Sequence, residues 1–452
     1  MSTIQKQMYF SREQFKGEQI VEAISIGLLG LGTVGSGVVK IIENHQDKLM
    51  HQVGCPVHVS KVLVKNIDKE RAVEVDSNIL TTNPDDIIKN PEINIVIEVM
   101  GGLEETRGYL QTAIENHKHI VTANKDLMAV YGPELLLAAS ANGCDLFYEA
   151  SVAGGIPILR GLVDGLASDR ITKMMGIVNG TTNFILSKMS KEGSAYENVL
   201  KEAQELGYAE SDPTADVEGL DAARKMAILS TLGFSMNIDL DDVKVKGITE
   251  ITEEDLQYAE QLGYTMKLIG IAHRDGEKVE VSVQPTLLAE AHPLAGVQDE
   301  YNAVYVYGEA VGETMFYGPG AGSLPTATAV VSDLVGVMKN MRLGVNGKSA
   351  ATPQYEKMLK DDNEIFSKYF LRLHVSDEVG VFSNITNIFS DHHVSFEKIL
   401  QVPVKERELA EIVLVTHQAS LEDYENILIS LRDLQAVKDV KSSYRVEGGA
   451  KR

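Results

Sequence analysis

Apolar positions along the first third of the chain fall into short continuous runs, separated by glycine turns and amphipathic stretches. AISIGLL (23–29) has the length of a strand buried on both faces. It leads into Gly30-Leu31-Gly32-Thr33-Val34-Gly35, after which Val38, Val39, Ile41 and Ile42 recur at helical spacing. VHVSKVLV (57–64), INIVIEVM (93–100) and HIVTANK (119–125) are further runs, with a helical stretch over 104–116. Strands alternating with helices predict an α/β, Rossmann-type parallel sheet. Beyond residue 145 the pattern changes. ITKMMGIV (171–178) reads as a strand, and residues 281–325 carry Val/Tyr alternation such as NAVYVYGEAVGETMFYG, as in an α+β domain built on a sheet. TATAVVSDLVGVMKNM (326–341) reads as a helix that returns to the first sheet, and NGKSAATPQYEKMLKDDN (346–363) as a polar linker. From Tyr369 onward the order is strand, helix, strand, strand, helix, strand, which is ferredoxin-like.

The length of 452 residues suits about three domains of ~150 residues. A formal charge of −23 repels phosphate, which argues against a nucleic-acid or anionic-membrane binder. No run approaches the ~20 apolar residues of a membrane span. Cys55 and Cys144 belong to no CxxC pair, so idle thiols in a reducing cytoplasm are expected rather than disulfides or a zinc site. His392 and His393 lack further ligands at metal spacing and read as surface residues. Residues 1–22 lack the apolar core of a secretory signal and carry Glu13, Glu18 and Glu22, unlike a transit peptide. They read as an extension of unassigned role.

Five places carry candidate chemistry. In the glycine turn, Gly30 allows the bend, Gly32 lets backbone approach a pyrophosphate, and Gly35 lets helix pack on strand. After the second strand stands Lys65, where a cation attracts a 2′-phosphate and favours NADP; Asp68 keeps NAD open, and a solvated charge cluster is the alternative. Gly101, Gly102, Thr122 and Lys125 lie at strand ends, where open α/β sheets bind ligands. Glu149 leads the small-residue run 150–155; carbonyls beside one carboxylate can hold a hard cation, but the residues alone favour a tight turn. After 171–178, Thr181 or Thr182 is placed to cap the next helix. Residues 207–229 gather Glu210, Asp212, Asp216, Glu218 and Asp221 ahead of Lys225. Pro213 and Gly219 keep the early part a loop, and a helix from Gly219 puts Asp221 and Lys225 at i and i+4. Exposed, such a pair is worth only ~0.3–0.5 kcal/mol. The apolar flanks predict burial, where a lysine can shift its pKa and handle protons.

GLGTVGSG (30–37), VTANK (121–125), YEASVAGGIPI (148–158), GIVNGTTNFIL (176–186), GYAESDPTADVEGLDAARKMAIL (207–229) and GPGAG (318–322) together resemble homoserine dehydrogenases, in family order from about residue 23 to 343. The resemblance implies reversible oxidation of L-homoserine to L-aspartate 4-semialdehyde with NADP or NAD, on the route to threonine, methionine and isoleucine. Matched residue by residue, it makes Lys225 the catalytic acid/base and sets Lys125 between substrate and nicotinamide. Glu210 and Asp221 would hold the substrate ammonium, with Asp216 near. Thr33, Val34, Thr122, Lys125 and Gly322 would line the cofactor. Glu149 with the carbonyls of Val152, Gly154 and Ile156 would bind a monovalent cation, Na+, reversing the preference from residues alone.

The C-terminal pattern resembles an ACT domain, although Asp377-Glu378-Val379-Gly380 has valine where that family's turn usually has proline. This implies feedback inhibition by an amino acid, with threonine expected, bound between ACT domains with Asp377 and Asn384 as contacts. A purely dimerising module is the alternative. The expected organisation is an extension (1–22), a dinucleotide-binding domain (23–145), a substrate-binding and dimerisation domain (146–317), a returning helix (318–345), a linker (346–366) and an ACT domain (367–449). A cytoplasmic homodimer or homotetramer is expected. With 22 residues before the first strand, a fused aspartate kinase is not. A 2-hydroxyacid dehydrogenase would need a His–carboxylate pair and a substrate arginine, and a non-enzymatic sensor would not need Asp221 and Lys225.

Overall fold

The computed structural model describes residues 23–348, 353–404 and 409–448, so the 1–22 extension lies outside the described residues. The chain divides into two compact units. The first comprises the described residues through Asn124, Glu134–Tyr148 and residues 327–348. Its sheet contains β1 (Ile24–Leu29), β2 (Val57–Leu63), β3 (Leu80–Thr81), β4 (Ile95–Glu98), β5 (His119–Thr122) and β6 (Leu146–Phe147). The parallel order β3-β2-β1-β4-β5-β6 is that of a dinucleotide-binding sheet. All six residues of β1 are buried, which explains its continuous apolar run. Helices α1 (Thr33–Asn44) and α2 (Glu104–Glu115) follow β1 and β4. The later part of the long helix Ser323–Leu343 belongs to this unit. Asp145 fastens its end by accepting from Asn340 (2.8 Å), Asn346 (2.7 Å) and the Gly347 N–H (2.7 Å). Strand β5 stops at Thr122, so Lys125 opens helix α3 (Lys125–Ala141) instead of ending a strand.

The second unit comprises Lys125–Pro133, Glu149–Thr326 and the described residues beyond 352. Its central strands are β7 (Ile171–Ile177), β9 (Tyr264–Asp275), β10 (Lys278–Ala289), β11 (Tyr301–Gly308) and β12 (Gly312–Pro319), with the short β8 (Lys244–Val245) beside β10. Helices α4 (Gly180–Glu192), α5 (Leu220–Phe234) and α6 (Glu253–Gln261) accompany them. The C-terminal module consists of β13 (Phe366–Ser376), α7 (Val381–Asp391), β14 (Phe396–Val404), β15 (Leu409–Thr416), β16 (Ala419–Ser420), α8 (Leu421–Asp433) and β17 (Val437–Glu447). Its core includes Leu371, Leu373, Ile385, Phe389, Ile427 and Leu431, with Tyr369 stacked on Tyr424 at 3.8 Å between centroids.

The C-terminal module is not set apart from the sheet before it. The strand order runs β12-β11-β7-β9-β10-β17-β13-β15-β14, because Thr286–Leu288 of β10 pair in parallel with Arg445–Glu447 of β17. Alternation along a strand tells which face is buried but not which edge finds a partner, so the sequence separates what the sheet joins. The linker follows the same body: Tyr355 bridges to Met236 and Leu359 to Val279. A buried charge network adds to the joint. Arg372 on β13 lies 3.0 Å from Asp255 on α6 and 3.5 Å from Glu411 on β15. Asp255 also accepts from Ser442 (2.5 Å) and Tyr444 (2.9 Å) on β17. Among the described residues, no helix is long and apolar enough to cross a membrane.

Candidate active site

The glycine turn after β1 is shaped by two contacts and one vacancy. Gly30 has φ +103°, and a Cβ there would crowd the Met100 backbone at 3.0 Å. A Cβ on Gly35 would stand 2.3 Å from the Gly30 carbonyl oxygen. A Cβ on Gly32 would meet nothing within 4 Å. The first two glycines are therefore required by the protein's own packing, whereas the third leaves room outside it. Gly32 is also the N-cap of α1, which Thr33 and Val34 open, and it supplies no side-chain acceptor. A helix N-terminus with space in front of it fits an anionic phosphate group.

The neighbouring turn is built around a residue that the sequence hides. Glu98 ends β4 fully buried. Its carboxylate accepts from the N–H groups of Met100 (2.8 Å) and Gly101 (2.9 Å) and from the Thr122 hydroxyl (2.5 Å). Burial pushes the Glu98 carboxyl above its usual range despite these bonds. Gly101 and Gly102 take φ +73° and +83°, and Asn124 donates to the Gly102 carbonyl at 2.8 Å. The Thr122 hydroxyl is thus turned into the frame of the turn. Glu98 reads as one letter of the apolar run 93–100; a carboxylate inside such a run is itself the signal, because it demands buried partners. Lys65 is exposed after β2, in a loop whose carbonyls at Ile67 (2.9 Å) and Lys69 (2.6 Å) accept from Arg71.

In the second unit one carboxylate gathers the reactive groups. Asp221, 3% exposed, sits in the first turn of α5. Lys225, one turn on, donates to its Oδ2 at 2.7 Å and to the Val178 carbonyl at 2.7 Å. Lys125 Nζ stands 2.6 Å from Oδ1 as a charge contact outside good hydrogen-bond alignment. Asn179 donates to Asp221 Oδ2 (2.8 Å) and to Asp216 Oδ1 (2.7 Å). Asn179 is also the N-cap of α4, accepting from the Thr182 N–H at 2.9 Å, so it takes the capping role expected of Thr181 or Thr182. Arg224 pairs with Asp126 at 2.9 Å, next to Lys125.

The electrostatics follow from this crowding. Burial works against ionised Asp221, but the Lys225 and Lys125 ammoniums outweigh it and hold its carboxyl well below the usual range. Burial likewise opposes charge on Lys125, and Asp221, with Asp126 and Asp216 behind it, raises that lysine's pKa. Asp216, on the short helix Thr214–Val217, is pushed up mainly by burial. Glu210 is not drawn into this cluster: its side chain is exposed, and its backbone carbonyl accepts from Gln204 at 3.0 Å.

The candidate cation site is a tight turn with hard donors. The Glu149 carboxylate, 3% exposed, accepts from the N–H groups of Leu159 (2.8 Å) and Arg160 (2.8 Å). Ala153 and Gly154 both take φ +53°, and a Cβ on Gly154 would lie 2.3 Å from the Gly320 carbonyl oxygen of the GPGAG segment. Gly322, in that segment, has φ +119°. Val152 and Ile156 are buried, and the Ile156 carbonyl accepts from Ile158 at 2.8 Å. One carboxylate beside main-chain carbonyls is an all-oxygen set, which fits a hard cation. Among the described residues, no three His, Cys, Asp or Glu side chains gather as a metal site. Asp377 and Asn384 are both exposed, before and within α7.

Comparison with known proteins matches this architecture throughout. Residues 30–149 match the model of the homoserine dehydrogenase NAD binding domain, 157–335 that of homoserine dehydrogenase and 369–434 that of the ACT domain. The chain is 68% identical over 429 residues to homoserine dehydrogenase of Bacillus subtilis, covering 95% of this chain and 99% of that one. A homoserine dehydrogenase structure from Thiobacillus denitrificans superposes with TM-score 0.90 at 41% identity, covering 95% and 99% of the two chains. A hyperthermophilic archaeal homoserine dehydrogenase in complex with NADPH superposes with TM-score 0.59 at 25% identity, over 70% of this chain and 98% of that one. From its nucleotide turn to its C-terminal module, the chain belongs to the homoserine dehydrogenase family.

Proposed function

We propose that Asp221, Lys225 and Lys125 form the catalytic centre for the NAD(P)-dependent interconversion of L-homoserine and L-aspartate 4-semialdehyde. The observation that carries this reading is the single buried carboxylate holding two ammoniums at 2.6 and 2.7 Å. Reducing the aldehyde adds a hydride and a proton to the carbonyl. The bound nicotinamide supplies or accepts the hydride. The Lys225 ammonium gives its proton to the forming alkoxide, and takes one from the alcohol in the reverse direction. Asp221 fixes both lysines and keeps their charges in place. Lys125 steadies the oxygen that changes charge. The substrate's own ammonium calls for carboxylates, which Asp216, Asp221 and Glu210 provide.

The cofactor is held at Gly30, Gly32, Thr33, Val34 and Gly35, with Gly101, Gly102 and Gly322 as further contacts. The exposed Lys65 favours NADP over NAD. Glu149 and the carbonyls of Val152, Gly154 and Ile156 hold Na+, which supports the turn rather than the chemistry. The working state is a cytoplasmic homodimer or homotetramer, with the ACT module sensing an amino acid such as threonine through Asp377 and Asn384. Homoserine oxidation by Lys225→Ala tests the core of the reading. A kcat loss of roughly 10²-fold or more is expected, the usual size of a general-acid contribution. Near-normal kcat removes Lys225 from that role.

A further inference from the structure

We infer that Glu98 is a positioning residue for the dehydrogenase reaction: its buried carboxylate holds the turns after β1, β4 and β5 in one arrangement, so that the cofactor's seat and Lys125 are aligned together. This role rests on the glycine turn as that seat and on Lys125 as a catalytic group. Glu98 is the last paired residue of β4 on both sides, opposite Leu29 of β1 and Thr122 of β5. In an open parallel sheet the ligand lies beyond such carboxyl ends, at the point where the strand order reverses. In the order β3-β2-β1-β4-β5-β6 that point falls between β1 and β4.

Where the ladder ends, the Glu98 side chain continues the connection in both directions. One carboxylate oxygen accepts from the N–H groups of Met100 (2.8 Å) and Gly101 (2.9 Å), the other from the Thr122 hydroxyl (2.5 Å). Toward β1, the Met100 nitrogen and Cα and the Val99 carbonyl oxygen are the atoms that a Cβ on Gly30 would meet at 3.0 Å. The segment that Glu98 fixes is therefore the wall against which the glycine turn folds. Toward β5, the Thr122 hydroxyl oxygen accepts from the Asn124 N–H at 3.0 Å, and the Asn124 side chain donates to the Gly102 carbonyl at 2.8 Å. Thr106, fully buried, donates to the Gly101 carbonyl at 2.6 Å. Lys125 is the next residue along the chain after Asn124, and its Nζ stands 2.6 Å from Asp221.

The residue type at this place serves alignment more than cohesion. Among the described residues, no lysine or arginine acts on the Glu98 charge. A carboxylate buried without a cation costs the fold more than an apolar side chain in the same space. Two oxygens with fixed directions, however, specify where two N–H groups and one hydroxyl stand, whereas an apolar side chain specifies only a volume. Gly101 and Gly102, at φ +73° and +83°, leave the turn free to follow other paths, and the carboxylate selects one of them. A displacement of Met100 would move the wall of the glycine turn. Through Gly102 and Asn124 it would also move the residue before Lys125. A misplacement of about 1 Å at reacting groups can cost ~10²-fold in rate.

The test compares Glu98→Gln, Thr122→Val and Thr122→Ser in the full-length enzyme. Glutamine keeps the size and one acceptor oxygen for Met100 and Gly101, but turns an amide N–H toward Thr122 in place of an acceptor. Valine removes the tie to β5 alone, and serine keeps it. NADPH Kd is read by fluorescence titration, homoserine kcat at saturating cofactor and substrate, and Tm by thermal unfolding. Glu98→Gln should raise NADPH Kd about fivefold or more and lower kcat about tenfold or more, because both the seat and Lys125 lose their preorganisation. Thr122→Val should lower kcat by a similar factor while raising NADPH Kd less than Glu98→Gln does, and Thr122→Ser should restore both. A lower Tm with kcat and Kd unchanged in all three variants overturns the proposal, since a purely structural Glu98 moves only stability. Thr122→Ser behaving like Thr122→Val also overturns it, because the hydroxyl would then carry nothing. If Glu98→Gln fails to fold, the two Thr122 variants decide by the same criteria. Lys125→Ala reads the catalytic assignment separately: near-parent kcat there removes Lys125 from the chemistry, while NADPH Kd in Glu98→Gln still reports on the seat.

Discussion

Replacing two glycines of one turn by alanine should separate packing from ligand binding. At Gly35 the new methyl would stand 2.3 Å from the Gly30 carbonyl oxygen and 3.1 Å from its carbon, both backbone atoms. Helix α1 must then shift away from the turn, and overpacking of this kind costs typically ~1–3 kcal/mol. At Gly32 the methyl meets nothing within 4 Å, and φ is −86°, which any residue adopts. Stability of Gly32→Ala should be unchanged or higher by ~0.4–1 kcal/mol, because alanine restricts the unfolded chain. The same methyl would enter the space proposed for the pyrophosphate. A tenfold rise in cofactor Kd corresponds to ~1.4 kcal/mol, and a loss of at least that size is expected. Thermal unfolding of the ligand-free enzyme and fluorescence titration with NADPH read the two effects apart. Gly32→Ala that binds NADPH as tightly as the parent would refute a pyrophosphate at this turn. Gly35→Ala with unaltered unfolding would refute the packing argument.

Other substitutions probe the second unit. Glu210→Ala should chiefly raise homoserine KM, and an unchanged KM in steady-state assays would release this exposed residue from substrate binding. Arg372→Ala leaves the fully buried Asp255 without its cation and should cost ~3–5 kcal/mol, read as a lower denaturant midpoint. Lys267 is buried among the Asn183 side chain (2.9 Å), Ser187 (3.2 Å) and the Val297 carbonyl (2.6 Å), and burial lowers its pKa to about 7. Between that value and ~10.4 the unfolded chain binds one more proton than the folded one, so stability rises with pH across this window. The stability advantage of the parent over Lys267→Met should therefore grow by roughly 1 kcal/mol per unit from pH 7 to 9 in urea titrations. A flat difference would mean that Lys267 stays charged when folded.

What the sequence discloses is what is local. Strand, glycine turn and helix follow one another without a break from Ile24 to Asn44, so Gly30, Gly32 and Gly35 can be read in order. Asp221 and Lys225 are one helical turn apart, and their pairing needs only the helix to form. The ferredoxin-like module shows the order β17-β13-β15-β14 that its element sequence predicts. Contacts across long separations leave no such trace. Lys125 meets Asp221 only because the chain folds back over nearly a hundred residues, and Asn179 looks like a mere helix start. Arg372 and Asp255 each read as a charge in a mixed segment, because neither segment reveals the other. Glu210 shows the converse: an acid inside a specific motif that the fold leaves at the surface.

The junction at Thr286–Leu288 has a consequence for how this enzyme can be shortened. Cutting the chain before β13 would bare Thr286–Leu288 of β10 and leave the Glu280 carboxylate with His273 (3.4 Å) but without Arg445. A raw edge of that kind recruits other edges, and truncated molecules would tend to aggregate. The C-terminal module is in this sense part of the preceding sheet's own hem. Point substitutions within the module leave this edge covered, whereas deletion exposes it.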